Sequence, residues 1–186
     1  SDIQMSEQFN SLISIIMEIP EHNPKKSQII KNYILKHRKC VHETIHNTKE
    51  LEIYTPGHFA AYLGYHVSLN AIFEAATIID KSIDSQSRYH VDLLLNTVAA
   101  LIPTDEDDSV ETNGFGKSPV WFAAENGHLK CLQVLHKAGC NMEQINYVHM
   151  YETPIFGAVK NGHLDCVKFF HEIGCNLDFQ NETKDT

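Results

Sequence analysis

An all-α solenoid of stacked helix-turn-helix units with short hairpin loops is the fold class this sequence predicts, and three observations predict it. Residues 118–146 and 153–181 match at 12 of 29 positions when slid by 35 residues. A period of that length marks supersecondary units that bury their apolar faces only by stacking on one another. Each copy also carries the start and stop signals of two short helices. Finally, residues 1–50 contain two further amphipathic patterns, the economical way to cover the stacking face of an end unit.

Within the first copy, Ser118 is a natural cap and Pro119 sits at the first helical position, where its missing N–H costs nothing. That helix runs through Trp121, Ala123 and Ala124 and ends at Gly127, a position that calls for positive φ. His128 and Leu129 begin a second helix that passes through Leu132 and Leu135 and ends at Gly139. The second copy repeats this with Thr153, Pro154, Ala158, Gly162, His163, Leu164 and Gly174. A decayed third copy stands upstream, with Thr55, Pro56, His58, Ala60, Ala61 and Gly64 at the same spacing, then an apolar helix through Leu69, Ile72 and Phe73. At the N-terminus, Leu12, Ile15, Ile16 and Ile19 predict one amphipathic helix. Ile29, Ile30, Tyr33, Ile34 and Leu35 predict another, with Pro24 just inside its start. A helix is also predicted over 87–102, stopped by Pro103, followed by an acidic solvated loop over 104–113.

These residues resemble the ankyrin repeat, whose pattern is Thr-Pro-Leu-His, an alanine pair, Gly-His, a leucine-rich second helix and a closing glycine. The resemblance covers two complete units and departs at one place: Trp121 and Phe156 stand where the family has its motif histidine. That histidine usually hydrogen-bonds the turn, so aromatic packing is expected to substitute for polar bracing there. The expected division is a helical cap over 1–50 and a repeat region over 51–186. The latter comprises a degenerate unit at 51–80, a divergent unit or insertion with an acidic loop at 81–113, units at 114–148 and 149–181, and the start of a further unit at 182–186.

Charge is unevenly placed. Residues 1–50 carry seven Lys/Arg against six Asp/Glu, and residues 51–186 carry eight against eighteen, so the repeat region holds the whole excess of about −10. This excludes a phosphate backbone as ligand and favours a partner protein with a basic surface. No apolar run approaches the roughly 20 residues a bilayer requires, and no basic patch with a following apolar stretch marks a cleavable signal. A monomer without a membrane span or nucleic-acid partner is expected. Five cysteines, an odd count in a chain too large to need staples, point to a reducing, cytoplasmic setting.

Catalytic and metal chemistry find little purchase. Cys131/His136/Cys140 and Cys166/His171/Cys175 share a spacing that invites zinc, but residues five apart on a helix do not share a face, and zinc needs ligands converging at about 2.0–2.3 Å. The repeat already explains the duplication, with the cysteines as small core residues. Cys40 beside His37 or His42 is the one nucleophile candidate outside the repeats and has no signature around it. The run Asp105, Glu106, Asp107, Asp108 lacks the glycine and glutamate of a calcium loop. No catalytic residue, cofactor or metal is expected.

The resemblance implies a non-enzymatic protein-binding module that uses its concave face and hairpin tips. On the inner helices Phe122, Glu125, Asn126, Lys160 and Asn161 are the expected exposed positions. Between the copies, Tyr147, His149, Met150 and Tyr151 lie in a connection two residues longer than the standard period and place aromatic anchors at a hairpin tip. The irregular units and Asn-, Lys- and Ile-rich composition resemble ankyrin proteins of intracellular bacteria or protists, so a secreted bacterial effector acting in a host cytoplasm is one expectation. The alternative is the targeting module of a larger enzyme whose catalytic domain lies C-terminal to residue 186.

Overall fold

The structure, a computed structural model, describes residues 7–41, 45–47, 52–84, 100–101, 117–145 and 152–176. Eight α-helices occur among them: α1 (Glu7–Glu18), α2 (Lys26–Lys36), α3 (Pro56–Tyr62), α4 (His66–Ile83), α5 (Pro119–Glu125), α6 (Leu129–Ala138), α7 (Pro154–Lys160) and α8 (Leu164–Glu172). From α3 onward they form three pairs. A short helix leads each pair, and its partner follows after a turn at Gly64, Gly127 or Gly162, all at positive φ between 72° and 76°. Only the missing Cβ makes this left-handed turn inexpensive. The turn closes on a backbone bond from the residue after the glycine to the alanine four positions before it: Tyr65 to Ala60, His128 to Ala123, His163 to Ala158, at 2.8 to 2.9 Å. The all-α repeat solenoid read from the sequence is the fold observed.

The leading helices α3, α5 and α7 pack side by side, as do α4, α6 and α8 behind them. A continuous core runs through the stack from Ala60, Leu69 and Ile72 through Ala123, Leu132 and Leu135 to Ala158 and Phe170. The pair at 55–84 packs directly on the pair at 118–139. Two bonds show that this contact and the next are the same interface. His128 Nε2 donates to the Tyr62 carbonyl at 2.9 Å, and His163 Nε2 donates to the Glu125 carbonyl at 2.9 Å. In both cases the imidazole sits against the glycine of the preceding unit. A Cβ built on Gly64 would come within 2.7 Å of His128 Nδ1, and one on Gly127 within 2.5 Å of His163 Nδ1. These histidines therefore latch one unit to the previous one.

The motif histidine does brace its own turn where it is present. His58 Nδ1 accepts the Thr55 N–H at 3.1 Å and lies 2.8 Å from the Thr55 hydroxyl. Where an aromatic ring replaces it, the bracing is lost, as expected. Ser118 recovers a bond from the Trp121 N–H at 3.2 Å, whereas Thr153 Oγ1 and Trp121 Nε1 are buried without a hydrogen-bond partner.

Ahead of the first pair, α2 lies along α4 and α1 touches α3, with Leu12, Ile16, Ile30 and Ile34 wholly buried. These two helices stand where a preceding unit would stand. A buried ion pair takes the place of the histidine latch. Lys26 is 0% exposed; its ammonium donates to the Ile16 carbonyl and to Glu21 Oε1, both at 2.7 Å, and lies 4.5 Å from the centre of the Tyr65 ring. Glu21 in turn accepts the Val67 N–H and the Ser68 hydroxyl at 2.7 Å each, capping the first turn of α4. Pro24 lies before the cap residue Lys25 and so just outside α2, not inside it.

Three short strands, β1 (Ile45–Asn47), β2 (Glu52–Tyr54) and β3 (Ala100–Leu101), form an antiparallel sheet in that order. Ile53 pairs with Ala100 and Glu52 with Leu101. The helix predicted over 87–102 therefore cannot run through 100–101, because pairing with β2 claims those backbone groups. Its remaining residues lie outside the described ones.

Candidate interaction surface

Along the leading helices, the last helical residue of each unit occupies one register: Tyr62, Glu125 and Lys160. Because the units stack in order, these three side chains follow one another along a single edge of the leading-helix layer. Tyr62 is 52% exposed, a large aromatic ring half in solvent. Its ring meets the Phe122 ring edge-on at 5.9 Å, the Lys117 ammonium lies 5.6 Å from the same Phe122 ring, and Lys117 pairs with Glu125 at 3.1 Å. Tyr62, Phe122, Lys117 and Glu125 thus make one continuous patch, with exposed Lys160 one unit further on.

The sequence-derived residues fare unequally in this geometry. Phe122 was expected to be exposed and is 5% exposed, which corrects that expectation. Direct stacking of the first unit places the Tyr62 and His58 rings edge-on to it, and the Lys117 ammonium lies 5.6 Å from its centre. Glu125 is half-buried and Lys160 exposed. Asn126 and Asn161 each donate Nδ2 to the carbonyl four residues back, Phe122 and Gly157, at 2.9 Å. Those bonds occupy the amide and reinforce helix-end carbonyls that also accept the Asn126 and Asn161 backbone N–H. Tyr147, His149, Met150 and Tyr151 lie outside the described residues. Tyr62 itself was missed, although sliding the third copy by 63 residues aligns it with Glu125.

Nothing in the described residues assembles a reactive centre. The Cys131 and Cys140 thiols are buried while His136 faces solvent, edge-on to Phe169. Among the described residues no three metal-ligating side chains come together. Cys40 is buried, and His37 stacks on Tyr33 with ring centres 4.7 Å apart; His42 lies outside the described residues. Burial pushes the thiols of Cys131 and Cys140 up to about 12 and that of Cys166 up to about 11, with Glu21 adding to the effect at Cys131 and Asp165 at Cys166. Cys175, less buried, is raised too, by burial and Glu143. Thiolates are the reactive form, so alkylation by iodoacetamide at pH 8 is expected to reach half-buried Cys175 well before Cys131 or Cys140. Mass-resolved labelling showing either core thiol reacting as fast as Cys175 would contradict this packing.

No helix of the described residues is long and apolar enough to cross a membrane. A comparison with curated proteins finds no match. The family model described as ankyrin repeats (3 copies) matches residues 86–181, just over half of the 186 residues. Its match begins after α4 and passes over the unit at 55–84, which shares the glycine turn and the histidine latch with the units inside the match. The recurring helix pair, the latch and the family match together place this chain in the ankyrin-repeat family, whose repeats are generally protein–protein interaction modules and typically not catalytic.

Proposed function

We propose that this protein binds a partner protein along the leading-helix face, with Tyr62 as an aromatic anchor and Glu125 and Lys160 as polar contacts, extended by the hairpin tip at 146–151. The observation that carries the reading is the half-exposed Tyr62 ring at the head of a one-per-unit ladder. Rigid aromatic side chains dominate binding energy at protein interfaces, and the stacked scaffold holds this one without a moving loop.

The partner's matching surface is basic, answering the excess of about −10 in residues 51–186. Direct stacking of the 55–84 pair on the 118–139 pair supports reading 81–113 as an insertion carrying an acidic loop, in place of a stacked unit, with 1–50 as the helical cap. Glu125 is already paired with Lys117, so the anchor and the field of the insertion supply most of the affinity.

Affinity capture followed by titration of the recovered partner tests this. Tyr62→Ala with Lys160→Ala is expected to weaken binding by about tenfold or more, while the unfolding midpoint falls only by what the lost edge-on contact of Tyr62 with Phe122 contributes. Raising salt from about 50 to 500 mM is expected to weaken it further. A partner that binds the double variant and the parent equally well, in low and high salt, would sink the proposal. Tyr147→Ala with Tyr151→Ala separates the contribution of the hairpin tip.

A further inference from the structure

Behind the leading helices, α2, α4 and α6 lie side by side, and their outward side is positive on a chain of net charge −9. Lys25 at the cap of α2, Lys36, Lys81, Lys130 and Lys137 are all exposed. The two on α2 stand 11 residues apart and the two on α6 stand 7 apart, close to whole turns, so each pair shares one side of its helix. Ile30 and Ile34, and Leu132 and Leu135, are buried on the opposite side. Along these three helices and their caps the exposed acids are Glu74 and the cap residue Asp84. Glu74 is neutralised from α2 by Lys31 at 2.9 Å and lies in the field of Lys137 on α6. In α8 the registers of Lys130 and Lys137 hold Asp165 and Glu172, so the positive face ends there. Lys36, Lys81 and Lys137 sit in last turns, where a cation suits the helix dipole. Lys25 and Lys130 sit at helix starts, where a cation opposes it, so helix stability does not account for them.

We propose that this face attaches the protein to an anionic phospholipid surface, lying along it with the lysines among the headgroups and Ile29 and Ile78 between them. Three observations select a lipid plane over a protein. Packed helices lie about 8–10 Å apart, so the charges of three helices spread over roughly 20 Å, wider than one bound helix or strand covers. Protein interfaces are depleted in lysine and enriched in arginine and aromatic rings. Here the exposed cations of the three helices are all lysines, while Tyr33 and Phe73 pack against the core, and Arg38, in the turn after α2, donates to the Ser82 hydroxyl at 3.4 Å. Finally, Ile29 and Ile78 are 37% and 47% exposed between the lysines, the pairing of apolar and cationic groups that suits the headgroup boundary. The acidic excess elsewhere in the chain is screened over about 10 Å at 0.1 M salt. This face is on the other layer from Tyr62 and is independent of the partner bound there.

Flotation of the protein with vesicles of phosphatidylcholine alone, and of phosphatidylcholine with about one-third phosphatidylserine, tests this. Binding is expected only with the anionic lipid and is expected to fall away as salt rises from about 50 to 500 mM. Lys25→Ala and Lys130→Ala are each expected to weaken it by about fivefold, the share of one lysine at a charged bilayer. Neither should lower Tm, because each removes a cation from a helix start. Lys168→Ala takes the same charge from α8, where Asp165 and Glu172 flank it, and should change binding by less than about twofold. Equal binding to both kinds of vesicle, or a loss on Lys168→Ala as large as that on Lys130→Ala, would overturn the proposal. A chain that ignores anionic vesicles but binds soluble poly-glutamate through Lys25 and Lys130 would overturn it in favour of an acidic protein partner.

Discussion

Replacing Glu21 with alanine is expected to destabilise the protein by about 3–5 kcal/mol, the range for breaking a buried pair by removing one partner. The loss falls on three groups at once. The Lys26 ammonium, wholly buried, would keep only the Ile16 carbonyl and the Tyr65 ring. The Val67 N–H and the Ser68 hydroxyl would lose their acceptor at the start of α4. Lys26→Met is expected to cost less, about 1–2 kcal/mol, because the Glu21 carboxylate is partly exposed and retains both of those bonds. Urea unfolding of the two variants measures the difference, and a reversed order would mean that Lys26 is less isolated from water than its environment indicates.

The same pair shapes the acid limb of stability. Burial pushes the Glu21 carboxyl up, but the bonds from Lys26, Ser68 and the Val67 N–H outweigh it and hold the group below the ordinary value. A carboxylate depressed in the folded state contributes stability above its unfolded pKa of about 4.3, and that contribution is lost as pH falls through the lower folded value. Glu21→Gln is expected to flatten the fall in stability below about pH 4. It should leave the share of Glu74, which Lys31 holds low in the same direction.

The second large effect is expected at Gly127. Alanine there would adopt a left-handed conformation costing about 1–2 kcal/mol. Its Cβ would also press within 2.5 Å of His163 Nδ1, driving the ring from the Glu125 carbonyl. A total of roughly 3 kcal/mol is expected, with strain and the broken latch together. Gly162→Ala meets open space and is expected to cost only the strain, about 1–2 kcal/mol. Equal losses at the two glycines would show that the latch contributes nothing.

How much of this was legible in the sequence follows from where each feature is decided. The glycine turns, the prolines at helix starts and the core placement of Cys131 and Cys166 were readable, because local backbone conformation and repeat register dictate them. Phe122 was misplaced because its burial depends on Tyr62 and His58, rings of another unit 60 and 64 positions away in the chain. Asn126 and Asn161 were read as exposed inner-helix positions, and the bonds their amides make to the helix ends were not foreseen because they depend on the cap geometry. No local pattern marks Lys26 and Glu21, since only the docking of α2 against α4 brings Lys26 against the Tyr65 ring. At 100–101, pairing with β2 overrides the local helical pattern, as tertiary context commonly does.

Central to all of this is the claim that the unit at 55–84 sits directly on the unit at 118–139, joined by the His128 latch. A double-mutant cycle between Gly64→Ala and His128→Ala tests it across 64 positions of sequence. His128→Ala alone removes the bond to the Tyr62 carbonyl, and Gly64→Ala alone expels the ring that occupies its Cβ space. With the ring gone, Gly64→Ala should cost only backbone strain, so the two effects are expected to fall short of additivity by about 1–2 kcal/mol. Strict additivity would contradict direct stacking of these two units.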